Sequence, residues 1–274
     1  MESKISTILV TGGRGFLGYN FSRWMRRYHP DISVLLYDYS DGNDIFEIEK
    51  LRKIAENVGL IIHLAGLTNT YSRTDDFDHV NVEGTKAVIE AAGNTRVVCM
   101  STCDLYKGTE EDMFLTEFSE LEPKDTPYAQ SKLKAERETK KLAQHGANVV
   151  TLRLFNPYGY RQSPKKLIPT WLAAAARDEQ IVVYGDGNVE LDYLFAEDVA
   201  RAIWDAQSLP TGIAINVCTG RGIRLIEIAR WIEKQYGGSV VHIPSKVDER
   251  RLVGSYVTMK QITGWHPKID LEHG

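Results

Sequence analysis

The 274-residue sequence has no apolar run long enough to cross a membrane; its alanine-rich stretch WLAAAA, Trp171 to Ala176, falls far short of the ~20 residues a spanning helix needs. It shows no secretory leader: the opening MESKIS is polar and the apolar run behind it is brief, so the cytoplasm is the expected compartment. Cysteine is scarce. Cys99, Cys103 and Cys218 are odd in number and lack metal-ligand spacing, so reduced, buried thiols and no metal site are expected. Positive charge is not in excess. With 33 Lys and Arg against 37 Asp and Glu, the net charge is -4, which leaves no basic footprint for nucleic acid. Neither an internal repeat nor a low-complexity linker is present.

What is there, in the first half, is an alternation of short apolar runs and helical patterns. KISTILVTG, Ser33–Asp38, LIIHLAG, RVVCMST and NVVTLRLFN read as strands. Between them, FLGYNFSRWMRRYH has Phe16, Leu17, Phe21, Trp24 and Met25 for an inner face; Ile48 to Asn57, NVEGTKAVIEAAG and Tyr128 to Gln144 also read as helices. Near-continuous apolar strands separated by helices predict a doubly wound parallel α/β sheet of Rossmann type, with ligands at the carboxyl ends of its strands. After Asn156 the pattern changes. A loop-like basic stretch, a helix at Leu167–Arg177, a strand and turn in IVVYGDGN, a core element in YLFAEDVARAIWDA and an amphipathic helix at Leu225–Tyr236 predict a smaller C-terminal α/β lobe. The expected division is 1–156 for a dinucleotide-binding domain and 157–274 mainly for a substrate lobe, interleaved with sheet elements around 191–217.

ILVTGGRGFLG, Ile8 to Gly18, lies between the first strand and the first helix. Gly13, Gly15 and Gly18 give G-x-G-x-x-G; Gly12, Gly15 and Gly18 give G-x-x-G-x-x-G. Glycines there permit a tight turn and let backbone approach a pyrophosphate at a helix N-terminus. Asp38 ends the second strand, twenty residues beyond Gly18, where a carboxylate can bind the adenosine ribose hydroxyls. That favours NAD. Arg14 pulls the other way, since a loop arginine can meet a 2'-phosphate, so NADP stays open.

Tyr128 and Lys132 form Y-x-x-x-K in PYAQSK, a helical spacing that sets both side chains on one face. A nearby ammonium lowers a tyrosine pKa from its usual ~10, making it a base near neutral pH. A second copy, Tyr256 and Lys260, lies among Pro244, Gly254 and Gly264 without matching partners and reads as structural. Ser101 and Thr102 end the fourth strand in MSTCDLY, where the Thr102 hydroxyl can hold a substrate oxygen or cap the strand end. Asn81 opens the preceding helical pattern, as an N-cap, a site residue or both.

This ordered series resembles the extended short-chain dehydrogenase/reductase family, in its nucleotide-sugar epimerase and dehydratase branch, over nearly the whole chain. VTGGRGFLG is similar to the cofactor loop, which implies contacts from Gly12, Gly15, Phe16, Leu17 and Gly18; IIHLAG to the strand whose end, Leu64, Ala65 and Gly66, lies beside the cofactor; NVEGT, MSTCDLY and YAQSK to the active-site segments. LRLFNPYGYRQ resembles the entry to the substrate lobe, where Asn156 would contact a nucleotide-sugar pyrophosphate; VYGDGNVELDYLFAEDVARAI and GWHPK resemble later signatures. The resemblance implies NAD chemistry on a nucleoside-diphosphate sugar: Tyr128 removes a hydroxyl proton, Lys132 binds the nicotinamide ribose, Thr102 holds the sugar hydroxyl. It also implies a homodimer packed through helices at about Glu83–Ala92 and Tyr128–Gln144, whose apolar residues equally suit a core.

Three departures from the family pattern bear on the reaction. Leu191 stands where an arginine usually meets the pyrophosphate; Arg250 or Arg251 could substitute, or be solvated surface charges. Asp104 occupies the acidic position that dehydratases place two residues after the threonine, shorter than their usual glutamate. The chain stops at LEHG where relatives commonly continue with another helix, so a minimal lobe or a clipped chain is expected. Epimerisation is the first expectation, 4,6-dehydration the second because of Asp104, reduction of a 4-keto sugar with NAD(P)H the third because of Arg14. A non-catalytic dinucleotide sensor comes last, against the intact Thr102, Tyr128 and Lys132.

Overall fold

Continuous apolar strands set the centre of the molecule. The computed structural model describes residues 5–68, 74–110, 112–244 and 250–274. β1 (Thr7–Thr11), β2 (Ser33–Tyr37), β3 (Leu60–His63), β4 (Arg96–Thr102), β5 (Val149–Leu154) and, much later in sequence, β10 (Ala214–Val217) form one six-stranded sheet in the order β10-β5-β4-β3-β1-β2. Every pairing in it is parallel. The strand expected from Lys4 starts at Thr7, and Lys4 lies outside the described residues.

Parallel strands need crossovers, and the helices supply them on both faces. On one face α1 (Phe16–Tyr28) lies beside α7 (Ala196–Asp205), joining Phe21, Trp24 and Met25 to Val199 and Ile203 over Ile8, Val10 and Ile62. On the other, α2 (Ile48–Ala55) and α4 (Gly84–Ala92) put Leu51, Ala55, Val88 and Ile89 over Leu9, Ile61 and Val97. α5 (Pro127–Gln144) flanks α4 and begins one residue earlier than expected, because Thr126 caps it through the Ala129 N–H (3.2 Å) and Pro127 suits its first turn. The connections from β1 to β2 and on to β3 leave β1 in opposite directions, so the ends of β1 and β3 flank the crevice where open sheets bind ligands.

One helix differs from its sequence expectation. The segment expected to open at Asn81 is already helical: α3 (Thr74–Phe77) runs into a π-helical stretch at Asp78–Glu83 and then into α4. Asn81 is therefore no N-cap. The wide turn rotates its side chain inward, where it is fully buried.

Beyond β6 (Pro157–Tyr158) the chain builds a second core. α6 (Leu167–Ala176), β7 (Gln180–Tyr184), α8 (Leu225–Tyr236) and β12 (Ser239–Ile243) bury Trp171, Ala175, Ile181, Val183, Ile228 and Ile232 together. Between them the chain returns to the main sheet. β8 (Glu190–Asp192) pairs with β11 (Gly222–Arg224), β9 (Leu194–Phe195) pairs with β6, and α7 and β10 complete the first unit. α9 (Val257–Thr263) packs Met259 into the main core, and Tyr256 sets its ring edge against Trp265 at 6.2 Å while Lys260 is exposed.

Candidate active site

The glycine loop ends β1 and starts α1, and its geometry leaves no space for side chains. Gly12 has φ +66°, and a Cβ there would lie 2.6 Å from the Ala65 N; one on Gly18 would lie 2.6 Å from the Gly13 Cα. Gly12 thus lets the ends of β1 and β3 touch, and Gly18 lets α1 rest on the loop. Gly15 sits at the cap position without a side-chain cap, so the first-turn N–H groups of Phe16, Leu17 and Gly18 have no acceptor among the described residues. Such an N-terminus is ready for an anion.

Asp38 faces this loop from the end of β2. Its carboxylate accepts the Arg14 N–H (2.9 Å), the Ser40 N–H (3.0 Å) and the Ser40 hydroxyl (2.7 Å). Burial works against the charge, but those hydrogen bonds outweigh it and hold the carboxyl below its ordinary range. The Arg14 side chain points away to Asp41, with Nε 2.8 Å from Oδ2.

A buried chain of hydrogen bonds joins β1, β3 and the π-helical turn. The Thr85 hydroxyl donates to the Asn81 carbonyl (2.7 Å), so it accepts from His63 Nε2 (3.0 Å). His63 Nδ1 is then the acceptor for the Thr11 hydroxyl (2.8 Å). Burial pushes the His63 imidazolium down to about 3, with the Lys132 charge adding to it, so the ring is neutral with its proton on Nε2. Asn81 continues the chain. Its Oδ1 accepts the Leu67 N–H (2.8 Å), its Nδ2 donates to the Ser131 hydroxyl (2.9 Å), and Ser131 donates to the Tyr128 carbonyl (2.8 Å). Sequence reasoning marked Asn81 and passed over Thr11, His63, Thr85 and Ser131. IIHLAG carried the signal, a histidine inside an otherwise apolar strand.

Lys132 lies one turn beyond Tyr128 on α5. Its Nζ donates to the Met100 carbonyl (3.0 Å); a Cβ on Gly66 would lie 2.9 Å from Asn81 Oδ1, so Gly66 lets Asn81 close on this edge beside Lys132. Burial lowers the ammonium to about 8. Tyr128 departs from expectation: burial pushes its phenol well above the usual tyrosine range, Asp104 adds to that, and only the hydrogen bond with Thr102 pulls down. The Lys132 ammonium is turned to Met100, and the lowering expected from it is not found. Thr102, 7% exposed at the end of β4, also accepts the Asp104 N–H (3.2 Å), so it caps the turn at Cys103–Leu105. Asp104 is ion-paired with Lys124 (2.7 Å).

On the lobe side, Asn156 adopts φ +28° and its Nδ2 donates to the Asp192 carbonyl (3.0 Å). Neither expected replacement for the missing arginine is a free surface charge. Arg251 Nε is 2.5 Å from Glu190 Oε2, and its guanidinium also donates to the Glu110 and Met113 carbonyls. Arg250 donates to the Tyr106 (3.2 Å) and Glu122 (2.8 Å) carbonyls. The structure thus brings Thr102, Asp104, Tyr128 and Lys132 together beside Leu64–Gly66 and Asn81, with the glycine loop and Asp38 across the β1/β3 crevice. A cavity of about 590 Å³ between α5, β10 and α9 lies apart from this cluster and includes none of these residues.

Residues 8–218 match the model of the NAD dependent epimerase/dehydratase family. The chain belongs to that family. It is 28% identical, over 99% of its own length, to the trifunctional UDP-glucose 4,6-dehydratase/UDP-4-keto-6-deoxy-D-glucose 3,5-epimerase/UDP-4-keto-L-rhamnose-reductase of Arabidopsis thaliana, and spans 46% of that protein. It is 26% identical to the dTDP-D-glucose 4,6-dehydratase of Bos taurus, covering all of this chain and 87% of the bovine one. Among solved structures, the dTDP-glucose 4,6-dehydratase of Bacillus anthracis, in complex with NAD, superposes with a TM-score of 0.88 at 26% identity, covering 98% of this chain and 93% of the other. No helix among the described residues is long and apolar enough to cross a membrane.

Proposed function

We propose that this protein is an NAD-dependent epimerase of a nucleoside-diphosphate sugar, acting by transient oxidation of a sugar carbon. The observation that carries the reading is the convergence of Thr102, Tyr128 and Lys132 at the carboxyl edge of the sheet, across from a glycine cradle in which a Cβ at Gly12 has no room. The cradle fits a dinucleotide: the open N–H groups of Phe16, Leu17 and Gly18 take the pyrophosphate, Asp38 takes the adenosine ribose, and Lys132, Asn81 and Gly66 bound the nicotinamide end. NAD supplies the hydride acceptor and, on return, the hydride. Tyr128 Oη takes the proton of the sugar hydroxyl as the carbonyl forms and gives it back as the carbonyl is reduced. The first step needs the phenolate, which the Lys132 ammonium and the positive nicotinamide ring would favour once NAD is bound; burial alone favours the protonated form that serves the second step, in which the ketone oxygen needs a donor. Thr102 holds the same oxygen, and the buried Asn81–Ser131 chain fixes the start of α5 so that Oη stays in place.

Dehydration is the second reading, and Asp104 favours it. Its charge lies near enough to Tyr128 to raise the phenol's pKa, so it borders the reacting groups. Its Lys124 partner and its short side chain favour a positioning role instead. Product mass separates the two. On a panel of UDP-, dTDP-, GDP- and CDP-sugars, an isomer of unchanged mass supports epimerisation. Loss of one water, suppressed in Asp104→Asn, establishes dehydration instead. A homodimer through α4 and α5 would meet through polar faces, since Ala87, Val88, Ile89, Ala129, Leu133 and Ala135 are buried within the chain.

A further inference from the structure

The arginine that the family pattern leads one to expect at position 191 is absent, and another arginine, Arg221, immediately precedes the strand paired with it. β8 and β11 are antiparallel with Ile223 opposite Leu191 and Gly222 opposite Asp192. Tyr193 and Arg221 lie just outside the ladder, next to its last paired residues Asp192 and Gly222. Alternate residues along a strand return to one face. Tyr193 and Ile223 share a face with Arg221 and pack on the core of the second lobe, whereas Leu191 packs with Cys103, Tyr106 and Phe155. The face opens into a cavity of about 220 Å³ whose walls include Tyr193, Thr219, Arg221, Ile223 and Lys268. That is below the ~300–1,000 Å³ of whole-ligand sites, which suits one charged portion of a larger molecule.

The other arginines of this region are engaged. Arg224 binds Glu227, Arg251 binds Glu190, and Arg250 donates to two carbonyls. The Arg221 guanidinium makes no hydrogen bond or ion pair among the described residues, and it is exposed. Asp270, the carboxylate in the cavity wall, is paired with His273 (2.6 Å). The Arg221 backbone, by contrast, is fixed. The buried Asp192 carboxylate accepts the Thr219 N–H (2.8 Å), the Thr219 hydroxyl (2.6 Å) and the Gly220 N–H (2.9 Å), and the Thr219 oxygen accepts the Arg221 N–H (3.1 Å). On the other side, the Asp192 carbonyl accepts from Asn156. One strand residue thus ties Asn156 and Arg221 to the same short ribbon.

We propose that Arg221 supplies the cation for the substrate's diphosphate that Leu191 cannot. This rests on the reading of the substrate as a nucleoside-diphosphate sugar. It makes Arg221 a binding residue that acts through charge and not in the chemical step.

Calorimetric titration of the full chain with UDP, dTDP, GDP and CDP tests it. Arg221→Ala should weaken the best-bound diphosphate by about tenfold or more, the worth of charge-assisted hydrogen bonds, and flatten its salt dependence. Arg221→Lys should recover part of the loss. NAD affinity should be unchanged, as should diphosphate affinity in Lys234→Ala, which removes an exposed charge near the end of α8. Wild-type diphosphate affinity in Arg221→Ala would overturn the proposal while leaving the functional reading intact, as would equal losses for diphosphate and NAD. Failure of the wild type to bind any of the four would remove the functional reading itself, and this proposal with it.

Discussion

The two Y-x-x-x-K copies are an internal control at the scale of single residues. Tyr128 meets Thr102 at the end of β4, whereas Tyr256 packs its ring on Trp265. Tyr128→Phe should lower turnover by at least the ~100-fold expected for a lost acid–base group, and Tyr256→Phe should leave the chemical step nearly intact. Equal losses with unchanged melting would contradict the choice of site. Cofactor choice rests on a second pair. On the proposed cofactor pose the Asp38 carboxylate would meet a 2'-phosphate, and Asp41 draws the Arg14 guanidinium aside. The wild type should prefer NAD to NADP. Asp38→Ala should narrow the gap by removing repulsion, and Asp41→Asn should narrow it by releasing Arg14. Competitive calorimetry checks both, and a wild-type preference for NADP would reverse the assignment.

At the scale of elements, α5 and β8 show how single secondary structures carry several tasks. Tyr128, Lys132 and Glu136 recur every fourth residue on one side of α5, and Glu136 is paired with Arg153 in a buried bridge (2.7 Å) whose arginine also donates to the Tyr106 hydroxyl (2.8 Å). Glu136→Ala strands the Arg153 charge and should cost about 3–5 kcal/mol in urea unfolding. β8 depends on Asp192. Among the described residues every partner of its carboxylate is a donor, so the amide of Asp192→Asn must turn an N–H toward another N–H, at about 1–3 kcal/mol. Burial raises the folded Asp192 pKa to about 6, above the ~3.9 of an unfolded chain. The folded state therefore holds its proton more tightly. That contribution is full below about pH 4 and is lost as the pH rises through about 6. The wild-type stability advantage over Asp192→Asn should change with pH in that window, and parallel curves there would argue against a buried, titrating carboxyl. These features were only partly legible in sequence. Helical spacing exposed Tyr128 and Lys132, because i, i+4 is a local rule. It could not expose the π-helical turn at Asp78–Glu83, which follows from a tertiary demand: Asn81 must face Leu67 and Ser131 at once.

For the whole molecule, the order of strands and helices in the first half was readable because both faces of a parallel sheet are covered, and its strands are therefore apolar throughout. The return of the chain to the main sheet through α7 and β10 was harder to read, since it depends on which distant elements Val199, Ile203 and Val217 meet. So was the pairing of β8 with β11, which joins residues thirty or more positions apart. The fold nonetheless delivers one arrangement, a glycine cradle on one side of the sheet edge and a smaller lobe with its own core on the other. On the proposed reading, the hydride taken from the sugar is given back within the same turnover. The most direct measurement incubates the protein with nucleoside-diphosphate sugars, a trace of NAD and no added NAD(P)H, and counts product molecules formed per NAD. Many turnovers per NAD, yielding an isomer of unchanged mass, are predicted. Turnover that begins only when NAD(P)H and a 4-keto sugar are supplied, with two hydrogens added to each product, would contradict the account.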